Sequence, residues 1–387
     1  MALRVRIDRP WRRLVAGLAV AAGILAAVEG GAHLVLGTPH QFNSFDVLSR
    51  CAVVAQGDQV ALACNQDRLL RSVPRDHPGR PRVVVLGESS MWEPVGQSVA
   101  DRLSALLPEV EVVNFAVPGL QVASIAGISH DLHVATPDLV LIYAGHNEYS
   151  RTVFLGGVSA PRLWLLPFYG VLRHSWIHAW LMAPHIERAD HLRARPPVLA
   201  TEDDLALRLQ PEIERAFRYE LRAAVRASPA PVLLCTLLRN PDAPPSGVLV
   251  RGHPACEPHL SLLASPTVSA QALAALERDC GETSLLAYER YVFARARGDQ
   301  AAAVAAWHRS MELDPLPLRA PMSADDIIRE VAAQADAELV DLAAELGPLP
   351  DPGLFSDTIH FSEAGTRRLA EHLAPRIRRQ LAIPAVQ

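Results

Sequence analysis

The chain has no lysine: all 37 basic residues are arginine. Such a bias marks a GC-rich coding sequence and carries no chemistry. A basic surplus is also missing, because the formal net charge is −5, which argues against a nucleic-acid binder. Charged residues make up only 20% and hydrophobic residues 50%, which excludes a disordered chain; at 387 residues a full core can be buried. No Cys-x-x-Cys pair or His-rich spacing occurs, so no metal site is expected. The five cysteines read instead as structural thiols. Cys51 with Cys64, and Cys256 with Cys280, are candidate disulfides in an oxidising compartment, whereas Cys235 lies in an apolar run and reads as a buried strand thiol.

The first feature present is N-terminal. Arg4, Arg6, Arg9, Arg12 and Arg13 precede an uncharged apolar run from Leu14 to Val28, which resumes past Glu29 and His33 as far as Gly37. A basic flank before an apolar segment reads as a secretory signal or as a membrane anchor whose N-terminus stays on the cytoplasmic side. No convincing small-x-small cleavage site follows, so a retained anchor is preferred for residues 1–37, with a buried helix of the globular domain as the minor reading. Anchor and signal alike export the remainder, of which residues 38–80 are expected to be a linker.

From residue 81 short apolar runs alternate with amphipathic stretches. Val83–Leu86, Val110–Phe115, Leu139–Tyr143, Val232–Leu237 and Glu338–Leu342 read as buried strands. Helical patterns cover about 94–107, 120–134, 211–228, 323–335 and 362–380. This alternation predicts an α/β domain, 81–387, with a five-stranded parallel sheet between helical layers and functional groups at the carboxyl strand ends. Two insertions interrupt it. The first, about 151–210, carries Trp164, Phe168, Tyr169, Trp176 and Trp180. It suits a substrate lid or a membrane-facing surface, but a helical cap with its aromatics packed inward is the preferred expectation, because a purely surface patch invites aggregation. The second, about 240–320, contains Gly298, Ala303, Trp307, Ser310 and Asp314-Pro315, the spacing of the second helix of a tetratricopeptide-like hairpin. A solitary repeat is expected to pack on the main domain, and protein binding through it is the lesser reading.

Four strand ends carry polar groups with separate uses. After the first strand comes Gly87-Glu88-Ser89-Ser90, where a serine past a tight turn can stand exposed as a nucleophile. Alone it reads as readily as a helix cap. After the last strand comes Asp357-Thr358-Ile359-His360. An Asp three residues before a His can accept the ring N–H and fix the tautomer, so that the other nitrogen takes a proton from serine. Here the bland alternative is a capping Asp beside an incidental His. The second strand leads to Gly119 and the third to Gly145-His146-Asn147-Glu148, which offer an N–H and a side-chain amide to a developing oxyanion. Arg239 and Asn240 follow the fourth strand, and Arg319 follows the hairpin; all three are candidates for substrate contact. His146 reads as a buttress of its own loop.

These segments resemble the blocks of the SGNH, or GDSL-type, hydrolase family, in that family's order: Gly87-Glu88-Ser89, Gly119, Gly145-x-Asn147 and Asp357-x-x-His360. The resemblance covers about 80–150, 230–240 and 337–380, and the sequence is also similar to a bacterial subgroup with a Gly-Glu-Ser turn, a Gly-His-Asn-Glu block and a tetratricopeptide-like insertion. It implies a flavodoxin-like three-layer sandwich, Ser89 as nucleophile, His360 as base, Asp357 as its orienter, and an oxyanion hole of the Ser89 N–H, the Gly119 N–H and the Asn147 side chain. Register within the block favours Ser89 over Ser90. Glu88 and Glu148 depart from the pattern, which has Asp at both places. The resulting expectation is a cofactor-free serine ester hydrolase on the outer side of a bacterial inner membrane, acting on a small acyl ester, glycan or lipid. The alternatives are an O-acyltransferase to an envelope glycan and a non-catalytic envelope scaffold.

Overall fold

The computed structural model describes residues 10–36, 51–64, 68–77, 79–92, 98–149, 175–178, 180–181, 184, 205–245, 259, 268–314 and 317–384. Five parallel strands form the central sheet: β4 (Arg82–Gly87), β5 (Glu111–Asn114), β6 (Leu139–Tyr143), β7 (Val232–Cys235) and β8 (Glu338–Val340). Their order is β5-β4-β6-β7-β8, so the second of the five lies outside the first and the rest follow on its other side. That is the flavodoxin-like order, with its topological switch between β4 and β6. Helices α2 (Val99–Leu106) and α9 (Glu363–Gln380) pack together along one face. On the other face α3 (Val122–Asp131) packs on α4 (Leu205–Ala227), and α4 on α8 (Ser323–Ala335). Val83, Val84, Val85 and Leu86 are fully buried, as the unbroken apolar run requires of a central strand covered on both faces. Each such side chain contributes roughly 1.5–3 kcal/mol.

Strand ends differ from expectation where another partner takes the ladder groups. Strand β7 stops at Cys235, two residues early, because the Leu237 N–H donates to Asp325 Oδ1 and the Leu238 N–H to the Tyr143 hydroxyl, each at 2.9 Å. Helix α2 begins at Val99, where the Ser98 hydroxyl and the Asp101 carboxylate cap each other's backbone N–H groups.

The segment read as a linker is structured. Strands β1 (Cys51–Gln56), β2 (Gln59–Cys64) and β3 (Arg68–Pro74) form an antiparallel sheet whose Cys51, Val53, Val60, Leu62 and Cys64 join the main core. Cys51 and Cys64 are register partners and form a disulfide. Alternation is interrupted in these strands by alanines buried on the second face, which hid the pattern. Cys280 is also disulfide-bonded; Cys256, its expected partner, lies outside the described residues. Cys235 is a buried free thiol that burial pushes up to about 12.

In the second insertion α5 (Ala270–Cys280) precedes a hairpin of α6 (Ser284–Ala296) and α7 (Gln300–Glu312). Ala303, Trp307 and Ser310 are buried as their spacing predicts, and the hairpin core reaches Met322 and Leu349 of the main domain. Of the first insertion, Trp164, Phe168 and Tyr169 lie outside the described residues. Inward packing fails for Trp180 and Leu181, which are 53% and 66% exposed. Helix α1 (Pro10–Leu36) contains one stretch, Leu14–Val35, long and apolar enough to cross a membrane.

Candidate active site

Ser89 stands half-buried in the turn that closes β4, while Ser90 beside it is fully buried with no partner for its hydroxyl. Of the two, only Ser89 is open to a reactant. Its turn is made by hydrogen bonds from the Met91 and Trp92 N–H groups to the Glu88 carbonyl, at 3.0 and 3.2 Å. The Glu88 side chain points the other way. Its two oxygens accept the N–H groups of His146 and Asn147, each at 2.9 Å, across the switch point between β4 and β6. Glu148 does the same one loop further on, accepting the Val122 N–H at the start of α3. Both carboxylates are buried. The two positions that depart from the family pattern thus clasp the serine turn, the glycine loop and the asparagine loop into one unit.

Asn147 donates one N–H of its side-chain amide to the Leu120 carbonyl at 3.1 Å, which fixes the amide and leaves its second N–H as a donor. Gly119 adopts the left-handed region (φ 72°), and Gly145 a φ of 148°. A Cβ at Gly145 would meet the Leu237 and Phe217 side chains at 2.9 Å, so a substitution there would be strained and would have to displace both.

The His360 loop is held from three sides. Asp357 Oδ2 lies 2.6 Å from His360 Nδ1, while Asp357 Oδ1 accepts the N–H groups of Ile359 and His360 at 2.9 and 2.8 Å. Partial burial pushes the Asp357 carboxyl up, but these backbone N–H groups and the imidazole outweigh it and hold the carboxyl below its usual value. A charged Asp357 beside Nδ1 fixes the proton there and leaves Nε2 as the basic nitrogen. Phe361 packs edge-on against Tyr143, the last residue of β6, with ring centroids 5.8 Å apart. Asn240, just past β7, donates its backbone N–H to the Thr358 carbonyl at 3.1 Å and its side-chain amide to the Asp357 carbonyl at 2.8 Å. The loop therefore sits on the same carboxyl edge of the sheet as Ser89.

Two expectations of substrate contact, Arg239 and Arg319, need correction. Arg239 is 1% exposed and turned inward: it donates to the carbonyls of Ala320, Leu237 and Pro321 and pairs with Asp325 at 2.6 Å. Arg319, also 1% exposed, donates to the carbonyls of Asn240 and Ala243 at 2.9 and 2.6 Å. Burial pushes its guanidinium down to about 10. A guanidinium on a long stem can turn to either side of a sheet edge, and here unpaired carbonyls of neighbouring loops draw both inward. Asn240 is on the active edge, but its amide supports the Asp357 loop. His146 is a buttress as expected: its Nδ1 accepts the Ala320 N–H at 3.2 Å, and burial, then the Arg239 and His360 charges, hold it neutral.

Glu88, Glu148, Tyr143 and Asp325 were not anticipated as parts of this arrangement. For the two glutamates the available signal was their standing where the resembled pattern has Asp. Among the described residues no cluster of three or more His, Cys, Asp or Glu suits a metal ion.

No protein-family model matches the chain, and no curated protein sequence does. Among solved structures it is similar to the lipase/acylhydrolase from Enterococcus faecalis, at 15% identity, covering 79% of this chain and 99% of that one with a TM-score of 0.33. It is similar to a GDSL-like lipase from Bacteroides thetaiotaomicron at 10% identity, covering 80% and 93%, TM-score 0.33. The extracellular lipase from Streptomyces rimosus shows 12% identity, coverage of 78% and 99%, and a TM-score of 0.32. Each likeness is one of backbone path.

Proposed function

We propose that this chain is a serine ester hydrolase of the SGNH kind, working through Ser89, His360 and Asp357 and held to the outer face of a membrane by α1. The observation that carries the reading is the 2.6 Å contact of Asp357 with His360 Nδ1, on the same sheet edge as a half-buried serine. In the first half-reaction Ser89 Oγ attacks the ester carbonyl carbon while its proton passes to His360 Nε2. The carbonyl oxygen becomes an oxyanion facing the Ser89 and Gly119 N–H groups and the remaining N–H of the Asn147 amide. Collapse expels the alcohol, which leaves with the proton from His360, and an acyl-serine remains. Water then attacks the acyl carbon, gives its proton to His360, and the acid departs as Ser89 regains its hydrogen. No step needs a metal or organic cofactor. The exported position makes an acyl ester on an envelope glycan or lipid the expected substrate.

Labelling of the full-length chain with a fluorophosphonate tests the reading. Wild type and Ser90→Ala are expected to label and Ser89→Ala to stay blank. A folded wild type that takes no label would overturn it in favour of a non-catalytic role.

A further inference from the structure

The apolar length of α1 carries one carboxylate, Glu29, and the structure gives it a partner far along the chain. Its oxygens accept the Ser175 hydroxyl at 3.1 Å, the Trp176 N–H at 2.7 Å and the Ile177 N–H at 3.0 Å, from residues up to 148 positions away. The Ser175 hydroxyl in turn accepts the His178 N–H at 3.1 Å. Residues 176–178 are helical, so the first three backbone donors of this turn, which no helix can satisfy internally, are all accounted for. Two of the three are satisfied by α1. A carboxylate within an apolar span is unfavourable unless it meets donors, and the positive end of a helical turn is a suitable one.

This contact fixes a depth. Glu29 lies seven residues before Leu36, about 10 Å from that end of the helix at ~1.5 Å per residue. With the arginines at positions 4–13 on the cytoplasmic side, Glu29 falls in the outer half of the bilayer. Toward the N-terminal side of Glu29 the helix surface is exposed: Leu14, Leu18, Val20 and Ile24 are each 59–65% exposed. Trp180 and Leu181, 53% and 66% exposed, follow one turn after the residues that Glu29 caps. An exposed tryptophan beside an exposed leucine, tethered to the outer part of an apolar span, has the composition of an interfacial anchor.

We infer that residues 175–178, with Trp180 and Leu181, form a second membrane contact, seated by Glu29 in the outer headgroup–acyl boundary, with the bilayer covering Trp180 and Leu181. The inference rests on α1 being retained as an anchor. It makes α1 a folded part of the protein and holds the segment around Trp176 against the lipid surface.

The test uses full-length protein in nanodiscs of phosphatidylethanolamine and phosphatidylglycerol, with an environment-sensitive fluorophore on Trp180→Cys. Quenching by lipids bearing a nitroxide high on the acyl chain is compared with quenching by aqueous iodide. The nitroxide lipid is expected to quench several-fold more strongly than unlabelled nanodiscs of the same composition, and iodide weakly. In Glu29→Ala the preference should move toward iodide, whereas Glu29→Gln, which keeps an acceptor oxygen, should retain most of the lipid quenching. A label in the otherwise native chain that iodide reaches and the nitroxide lipid does not would overturn the seat. Unchanged quenching in Glu29→Ala would overturn its dependence on Glu29. Fluorophosphonate labelling of the same samples reads Ser89 separately, so loss of the seat and loss of the hydrolase reading are told apart.

Discussion

Glu88 and Asn147 are joined across the switch point of the sheet: the Glu88 carboxylate accepts the Asn147 N–H at 2.9 Å and, through its other oxygen, the His146 N–H. The residue before the proposed nucleophile therefore sets the position of the proposed oxyanion donor. Replacing it by Ala removes the acceptor of two buried N–H groups, each costing about 1–3 kcal/mol when left unmade. Glu88→Ala is expected to lower the urea midpoint strongly. Glu88→Asp, one methylene short, should fold but lose kcat on a chromogenic ester with KM little changed. Kinetics and urea titration of both variants check this.

Asp357→Asn separates charge from geometry. An Asn side-chain oxygen still accepts the Ile359 and His360 N–H groups, so the loop should keep its form and the melting temperature should barely move. The amide then faces His360 Nδ1 with a donor and favours the wrong tautomer. Ester turnover is expected to fall by about 10³- to 10⁴-fold at neutral pH. A loss under tenfold would remove Asp357 from the proposed triad.

Arg239 should behave as a structural residue. Its pair with Asp325 is buried on both sides, and removing one partner of such a pair costs about 3–5 kcal/mol. Arg239→Met is expected to shift the urea midpoint while leaving KM for a small ester unchanged in the folded fraction. A raised KM with undiminished stability would restore the arginine to substrate binding.

Glu289, on α6, is 1% exposed with no hydrogen-bond partner for either carboxylate oxygen, and burial pushes it up to about 7 from an ordinary 4.5. The folded chain thus holds this proton more tightly than the unfolded chain. The resulting stability is complete below about 4.5 and is lost as pH rises through about 7. Glu289→Gln should therefore melt higher than wild type at pH 8, by a difference that shrinks toward pH 5. Scanning calorimetry at both pH values measures it, and a pH-independent difference would contradict the assignment.

What the sequence by itself determined is what local pattern can write. Valine and leucine runs place the three inner strands β4, β6 and β7, because a strand covered on both faces needs an unbroken apolar stretch, whereas the edge strands β5 and β8 carry half-buried runs. The Asp357–His360 pair is legible because three residues of chain bring its members together. Other relationships were decided only in tertiary structure. Whether Arg239 and Arg319 face the cleft or the interior depends on which carbonyls of remote loops lack partners, and no local spacing records that. The clasp of Glu88 on Asn147 spans 59 positions and the cap of Glu29 on Trp176 spans 147. A carboxylate's partner over such distances is chosen by where the folded backbone leaves unpaired N–H groups, which exist as a geometric fact only once the chain has closed on itself.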